Sequence, residues 1–359
     1  MARNVSRRKL LTGALTAGLA TSSTPQSALA QTPEKTRRPE LTDVWGADSI
    51  YQWSPPANVK RNLTPGPSHI RLSSAGMHMT NKEGTDYAAL FKSMRDAGFT
   101  ACEAASAEWL SRKVPDSEAS EIKAQLKAHD VVFYGIHCAG NIIAPDPDAD
   151  RWQRHIIDAI HAAAQMDCTL VLTHSGSLYP NRNTPHPQNW SKEGWTRAVN
   201  ALKRILKDTS GIKIELPLES VESEAVNSPW SHKRMREDVG DDRLMAGPDI
   251  TNQIFPHNVF RTTELINANF DVLGEAISYV HAKDVVWNEM IPGLNWAMNG
   301  TGSMDYEVFL THLSRMKRPR NMLVEFLSTP EEYQQAQRNI RAIAKKTGVT
   351  IYGTQPDAA

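Results

Sequence analysis

The stretch "ISYVHAKDVVW", Ile277 to Trp287, decides how this chain is read. It begins as an apolar run and then presents His281, Lys283 and Asp284 within four residues. That is the composition of a buried strand whose tip carries an imidazole, an ammonium and a carboxylate. Strand alternation puts His281 and Lys283 on one face and Asp284 on the other.

The same pattern recurs on both sides of it. Short apolar runs begin at Ile70 (IRLSSAGM), Phe99 (FTACEA), Val131 (VVFYGIHC), Thr169 (TLVLTHSG), Ile212 (IKIELPLE), Arg243 (RLMAGPD), Ile277 (ISYVHAKD) and Asn321 (NMLVEF). Between most of them lie stretches with helical periodicity, such as DYAALFKSMRDAG, WQRHIIDAIHAAAQM and WTRAVNALKRILKD. Asp86 is an expected N-cap and Gly98 an expected helix stop. Strands alternating with helices call for a parallel sheet, and eight such units over residues 69–352 predict a single (β/α)8 barrel with long βα loops. The first run is not followed by G-x-G-x-x-G, as an open dinucleotide-binding sheet would require.

The chain ends read differently. Residues 1–30 hold paired Arg7 and Arg8, a weakly apolar LLTGALTAGLA run and an Ala28-Leu29-Ala30 exit. That order predicts a twin-arginine signal peptide and hence a periplasmic or secreted protein. Residues 31–68 read as an N-terminal arm that packs through Trp45, Tyr51 and Trp53, and residues 353–359 as a C-terminal tail. Four of the 40 basic residues (Arg3, Arg7, Arg8, Lys9) and none of the 40 acidic ones lie in the first thirty, so the remainder carries a net −4. No basic tract is left to follow a phosphate backbone, which argues against nucleic acid as a partner. No apolar run is long enough to span a bilayer. Cys102, Cys138 and Cys168 sit in or beside apolar runs; an exported protein allows one pair to form a disulfide, but buried free thiols are the expected reading. The oligomeric state stays open, a homo-oligomer included.

In a barrel the chemistry gathers where strands end. The polar residues there are His78, Glu103, His137, His174, Glu219, Asp249, His281 and Glu325. Long loops after the fourth, fifth and seventh runs add Trp190, Trp195, Trp230, Trp287 and Trp296 to the same end. Aromatic rings beside polar groups suit a sugar, so a small-molecule carbohydrate is the expected partner. Glu103, His137, His174 and Trp287 are candidate substrate contacts. Glu219, Asp249, His281 and Glu325 come from four successive strand ends, each about one βα unit from the next. Three carboxylates and an imidazole at one barrel mouth repel as bare charges, and a divalent cation removes that repulsion. Oxygen-rich ligation with one imidazole suits Mn²⁺ or Mg²⁺, and less specifically Co²⁺ or Zn²⁺. Such an ion polarises a carbonyl and stabilises an enediolate, while two carboxylates on opposite sides of the substrate move a proton on and off the neighbouring carbon.

LPLES with Glu219, GPDITN with Asp249, YVHAKD with His281, GTGSMD at Gly300–Asp305 and LVEF with Glu325 resemble, together and in this order, the xylose isomerase-like TIM barrels. That superfamily includes sugar isomerases, ketose 3-epimerases, dehydratases and endonuclease IV. The resemblance implies Glu219, Asp249, His281 and Glu325 as metal ligands. It also implies Glu219 and Glu325 as the acid/base pair, and Lys283 as a contact to a substrate or oxyanion. The expected activity is a divalent-metal-dependent carbohydrate isomerase or epimerase. Two departures bear on the reaction. Asn252 stands where ketose epimerases usually carry a histidine, and the loop after the seventh run offers no arginine. They keep open a metal-dependent lyase or dehydratase on a keto-sugar or 3-keto-glycoside. An endonuclease IV-type nuclease, for which His78, His137 and His174 offer extra imidazoles, and a non-catalytic sugar-binding protein stand behind it.

Overall fold

The computed structural model describes residues 63–353, apart from 289, 291 and 292. The signal-like segment 1–30, the arm through residue 62 and residues 354–359 lie outside the described residues. All eight expected strands are present. In chain order they are β1 (Ile70–Ser74), β2 (Ala101–Ala105), β3 (Val132–His137), β4 (Leu170–Leu172), β5 (Leu216–Glu219), β6 (Leu244–Gly247) and β7 (Tyr279–Ala282). The hairpin strands β8 (Val285–Asn288) and β9 (Gly293–Trp296) follow, and the eighth expected strand is β10 (Arg320–Val324). The helices are α1 (Tyr87–Asp96), the short α2 (Ser106–Trp109), α3 (Asp116–Ala128), α4 (Asp148–Gln165), α5 (Lys192–Asp208), α6 (Pro229–Val239), α7 (Thr262–Leu273), α8 (Tyr306–Ser314) and α9 (Pro330–Thr347).

Neighbouring strands run parallel. β2, β3 and β4 pair in order, β5 pairs with β6, and β10 lies between β1 and β7. Bridges from Leu170 to Glu215 and from Thr173 to Leu218 join β4 to β5, and one from Ala246 to Ile277 joins β6 to β7. The Thr100 amide donates to the Leu72 carbonyl (3.0 Å), linking the entry of β2 to β1. Parallel strands with helices between them are buried on both faces, so they read as near-continuous apolar runs.

Local signals set the helix ends. The Asp86 carboxylate accepts from the Ala89 amide (2.9 Å) and caps α1. Thr329 and Glu332 form a capping box that starts α9, and Gly348 ends it in the left-handed region (φ 77°). On α5, Trp195, Ala198, Val199, Leu202, Ile205 and Leu206 form the buried stripe that its 3.6-residue period predicts. Ala101, Tyr134, Leu170, Leu172, Tyr279 and Leu323 make a separate apolar cluster from five strands. The Tyr134 hydroxyl donates to Glu103 and the Tyr279 ring packs edge-on against His281, so this cluster is the floor of the site.

One expected loop is a folded element. The stretch after β7 forms the antiparallel hairpin β8–β9, with Val285 opposite Trp296. Its base is tied by Asp284, whose carboxylate accepts from the amides of Val285, Gly300, Gly302 and Met304 at 2.9–3.0 Å. Gly302 is required there by close approach, because a Cβ would lie 2.4 Å from both Asp284 Oδ1 and the Val285 carbonyl oxygen. Cys102, Cys138 and Cys168 are all buried and free, and burial pushes the Cys102 and Cys138 thiols up, the latter to about 12.

Candidate active site

Glu219 is the last residue of β5, Asp249 lies just beyond β6, His281 sits within β7 and Glu325 follows β10 directly. The parallel register brings these four tips together. His281 lies between two carboxylates, with its Nδ1 against Glu325 Oε1 and its Nε2 3.5 Å from Glu219 Oε2. Lys283, two residues along the same face, places its ammonium against Asp249 Oδ2, 3.0 Å from Glu325 Oε1 and 3.9 Å from Glu219 Oε1. Asp249 is further held by the amides of Thr251 (3.0 Å) and Asn252 (3.3 Å). Asp249, His281 and Lys283 are almost wholly removed from solvent. Asp284, on the opposite parity, faces away into the amide cradle at the hairpin base.

Burial in low dielectric disfavours every charge here, and opposite charges set the outcome. Burial opposes an imidazolium at His281, yet Glu219 and Glu325 raise its pKa to about 9. Burial likewise opposes the Lys283 ammonium, but Asp249, Glu325 and Glu219 outweigh it and hold its pKa above the usual lysine value. Against the cost of burial, His281 and Lys283 hold Glu325 down to about 2. Burial pushes the Asp249 carboxyl up against the pull of Lys283.

The donor set fits a hard divalent cation. One ligand atom each from Glu219, Asp249 and His281 lies within 4.8 Å of the others. His281 Nε2 is buried and has no hydrogen-bond partner among the described residues. The Lys283 ammonium adds positive charge among the same three carboxylates.

A second group meets at the same glutamate. His137 at the end of β3 and His174 beyond β4 approach each other through their Nε2 atoms (3.3 Å) and lie 3.9 and 3.5 Å from Glu219 Oε2. Asn252 donates to the other oxygen, Oε1, at 3.1 Å, so Oε2 is the one that faces the three imidazoles. Glu103 from β2 is buried, accepts from the Tyr134 hydroxyl (2.7 Å) and turns Oε1 towards His137 Nδ1 (3.7 Å). Despite burial, His137 and Tyr134 hold its pKa below the usual value. His174 is held well below the ordinary imidazole value by burial and by Arg182.

Other candidates are placed elsewhere. Trp287 lies on β8 opposite Leu294, and no described contact joins it to the carboxylates. His78 belongs to neither convergent group. Trp190 donates to the Glu224 carbonyl (3.0 Å) and anchors its loop, whereas Trp195, expected on that loop, lies inside α5 and ties it to α6 through Asp238 (2.7 Å). Trp296 is half exposed and stacks on Phe326 (4.3 Å), with the Lys283 ammonium 4.3 Å from the Phe326 ring centre. Arg182 and Glu224 escape a reading of strand tips because they lie on long loops. Glu224 is fully buried, accepts from Arg182 (2.9 Å), Ser175 Oγ (3.0 Å) and Gly176 N (2.7 Å), and lies 3.7 Å from His174 Nδ1. Only the apolar Ala225-Val226 pair beside it hints at that burial.

Comparison with known proteins agrees with this fold. A D-psicose 3-epimerase from Clostridium cellulolyticum H10, solved with D-tagatose, superposes with a TM-score of 0.58 at 14% identity, over 77% of this chain and 99% of its own. Endonuclease IV from Thermus thermophilus does so with 0.59 at 18% identity, over 78% and 100%. A xylose isomerase-like TIM barrel protein from Mycobacterium smegmatis, in complex with magnesium, gives 0.55 at 13% identity, over 78% and 97%. At these identities the likeness is one of fold. No curated protein matches the chain in sequence. The model of the family described as "Xylose isomerase-like TIM barrel" matches residues 91–346, most of the chain, and the protein belongs to that family.

Proposed function

We propose that the protein is a divalent-metal-dependent carbohydrate isomerase or epimerase. It would remove a proton from the carbon next to a carbonyl and return it by way of an enediolate. The observation that carries this reading is the convergence of Glu219, Asp249, His281 and Glu325 from four successive strand ends, with the three carboxylates meeting around the Lys283 ammonium. These four residues hold the ion, Mn²⁺ by preference, with Mg²⁺, Co²⁺ and Zn²⁺ compatible with the donor set. When bound, the ion supplies Lewis acidity to the substrate carbonyl. Glu219 and Glu325 act as the acid/base pair from their two strand tips. Asn252 occupies Glu219 Oε1 and leaves Oε2 to take the proton. Lys283 donates to a substrate oxygen from the Glu325 side. His137, the most open of the three imidazoles, contacts the substrate together with His174 and Glu103. Similarity to the psicose epimerase supports a sugar as the substrate class.

A lyase or dehydratase on a keto-sugar or 3-keto-glycoside uses the same proton removal and then expels a leaving group. The His137–His174 pair beside Glu219 favours it as the second reading, because it puts a proton donor next to the base. Endonuclease IV-type chemistry draws support from the His137–His174–Glu219 group as well, but the net −4 of residues 31–359 weighs against a phosphate backbone. Among the described residues no helix is long and apolar enough to cross a membrane. The paired Arg7 and Arg8 support export by the twin-arginine route to the periplasm or beyond.

The test incubates the Mn²⁺-loaded protein in D₂O with free ketoses, inososes and 3-keto-glycosides. Deuterium entering the carbon beside the carbonyl is the expected result, with inversion or loss of a leaving group naming the reaction. Absence of exchange with every member of the panel defeats the proposal. Glu219→Ala and His281→Ala should abolish exchange while the far-ultraviolet circular dichroism stays unchanged.

A further inference from the structure

His137, His174 and Glu219 have the composition of a second ion site, and their hydrogen bonds decide whether they are one. Arg182 Nη1 lies 3.0 Å from His174 Nδ1. A guanidinium only donates, so His174 Nδ1 accepts, and the ring proton of the neutral imidazole is on Nε2. That proton points at His137 Nε2, 3.3 Å away, which therefore accepts. His137 then carries its own proton on Nδ1, facing Glu103 Oε1 at 3.7 Å. That oxygen is buried and has no hydrogen-bond partner among the described residues, so only an N–H facing it reduces the cost of its burial. The chain of donors runs in one direction, from Arg182 through His174 and His137 to Glu103. Arg182 is itself fixed by Glu224, which Ser175 Oγ and Gly176 N hold in place.

An ion between the two rings needs a lone pair on both Nε2 atoms. His174 provides one only if its proton moves to Nδ1, where it would meet the Arg182 N–H donor against donor. Metal-bound histidines usually turn the other ring N–H to a carboxylate or carbonyl. Here the carboxylate is present as Glu224, but Arg182 stands between it and the ring.

We infer that Arg182 is a positioning residue that fixes the His174 tautomer, so that the His137–His174 pair presents a proton beside Glu219 and the enzyme binds one divalent ion rather than two. The proton on His174 Nε2 thus lies 3.5 Å from Glu219 Oε2 while it bridges to His137. This rests on the proposal that Glu219, Asp249, His281 and Glu325 hold the first ion.

Zn²⁺ is the most demanding probe, because it prefers imidazole more than Mn²⁺ does. The full chain is dialysed against Zn²⁺ and its metal content measured. One ion per chain is expected. Two ions overturn the inference and leave the first site standing, whereas none removes both. Arg182→Met frees His174 Nδ1–H to turn to Glu224 and should raise the count to two; a count that stays at one removes Arg182 from the explanation. If that variant does not fold, Arg182→Met combined with Glu224→Gln relieves the unpaired buried charge and carries the same expectation. Independently of any variant, two-bond ¹H–¹⁵N spectra of the Mg²⁺-loaded wild type should report His174 with its proton on Nε2. A proton on Nδ1 overturns the inference.

Discussion

Lys283 carries its ammonium into a region where Asp249, Glu219 and Glu325 would otherwise repel one another. Lys283→Met leaves that repulsion uncompensated, and breaking a buried pair in this way costs about 3–5 kcal/mol. The ion-free variant should lose stability of that order in urea unfolding, and saturating Mn²⁺ should restore most of it. Turnover should nevertheless fall about 100-fold or more with the ion bound, since a donor to a developing oxyanion is lost. Full activity of the Mn²⁺-loaded variant would reduce Lys283 to charge balance alone. His281 gives the pH dependence. In the ion-free chain Glu219 and Glu325, working against burial, raise its pKa from 6.5 to about 9. Its contribution to stability is therefore complete below pH 6.5 and lost as the pH rises through 9. An ion must displace that proton, so Mn²⁺ affinity measured by titration calorimetry should climb about tenfold per pH unit above pH 6.5 and flatten near 9. A flat profile would remove His281 from the ligand set. The strand-tip residues were legible in the sequence because each closes an apolar run, and alternation separates His281 and Lys283 from Asp284. Arg182 and Glu224 were not, because a long loop has no period from which to read burial.

The hairpin β8–β9 depends on the contact between Asp284 and Gly302. Gly302→Ala forces a methyl group into the Asp284 carboxylate and the Val285 carbonyl, and overpacking of this kind costs about 1–3 kcal/mol. The expected outcome is a lower urea midpoint, together with faster amide exchange at Val285 and Met304, whose N–H groups Asp284 holds. Exchange unchanged at both amides would mean that the cradle does not depend on Gly302. The eight apolar runs were readable as strands because strands buried on both faces tolerate little except apolar residues. The hairpin was not readable: Val286 and Trp296 are exposed, Trp287 and Leu294 only half-buried, and Pro292 breaks the pattern between the two strands. The four-residue α2 is too short to show a period, and it sits directly on the end of β2.

At the scale of the whole molecule, the proposed ligands come from four strands, which would make ion binding and folding a single equilibrium. An ion at about 100 times its dissociation constant adds about 2.7 kcal/mol to the unfolding free energy when only the folded chain binds it. Removing metal with EDTA should lower the urea midpoint accordingly, and Mn²⁺ should restore it. Glu219→Ala should show no ion-dependent shift; an equal shift in that variant would place the ion elsewhere. The position of β10 between β1 and β7 carries this into biosynthesis. A ribosome that has delivered the chain as far as residue 319 has made Glu219, Asp249 and His281, but neither Glu325 nor the strand that joins the first strand to the seventh. A nascent chain thus lacks one of the four proposed ion-binding side chains until β10 has been made. On the proposed ligand set, capture of the metal becomes a late event that waits for the strand joining β1 to β7.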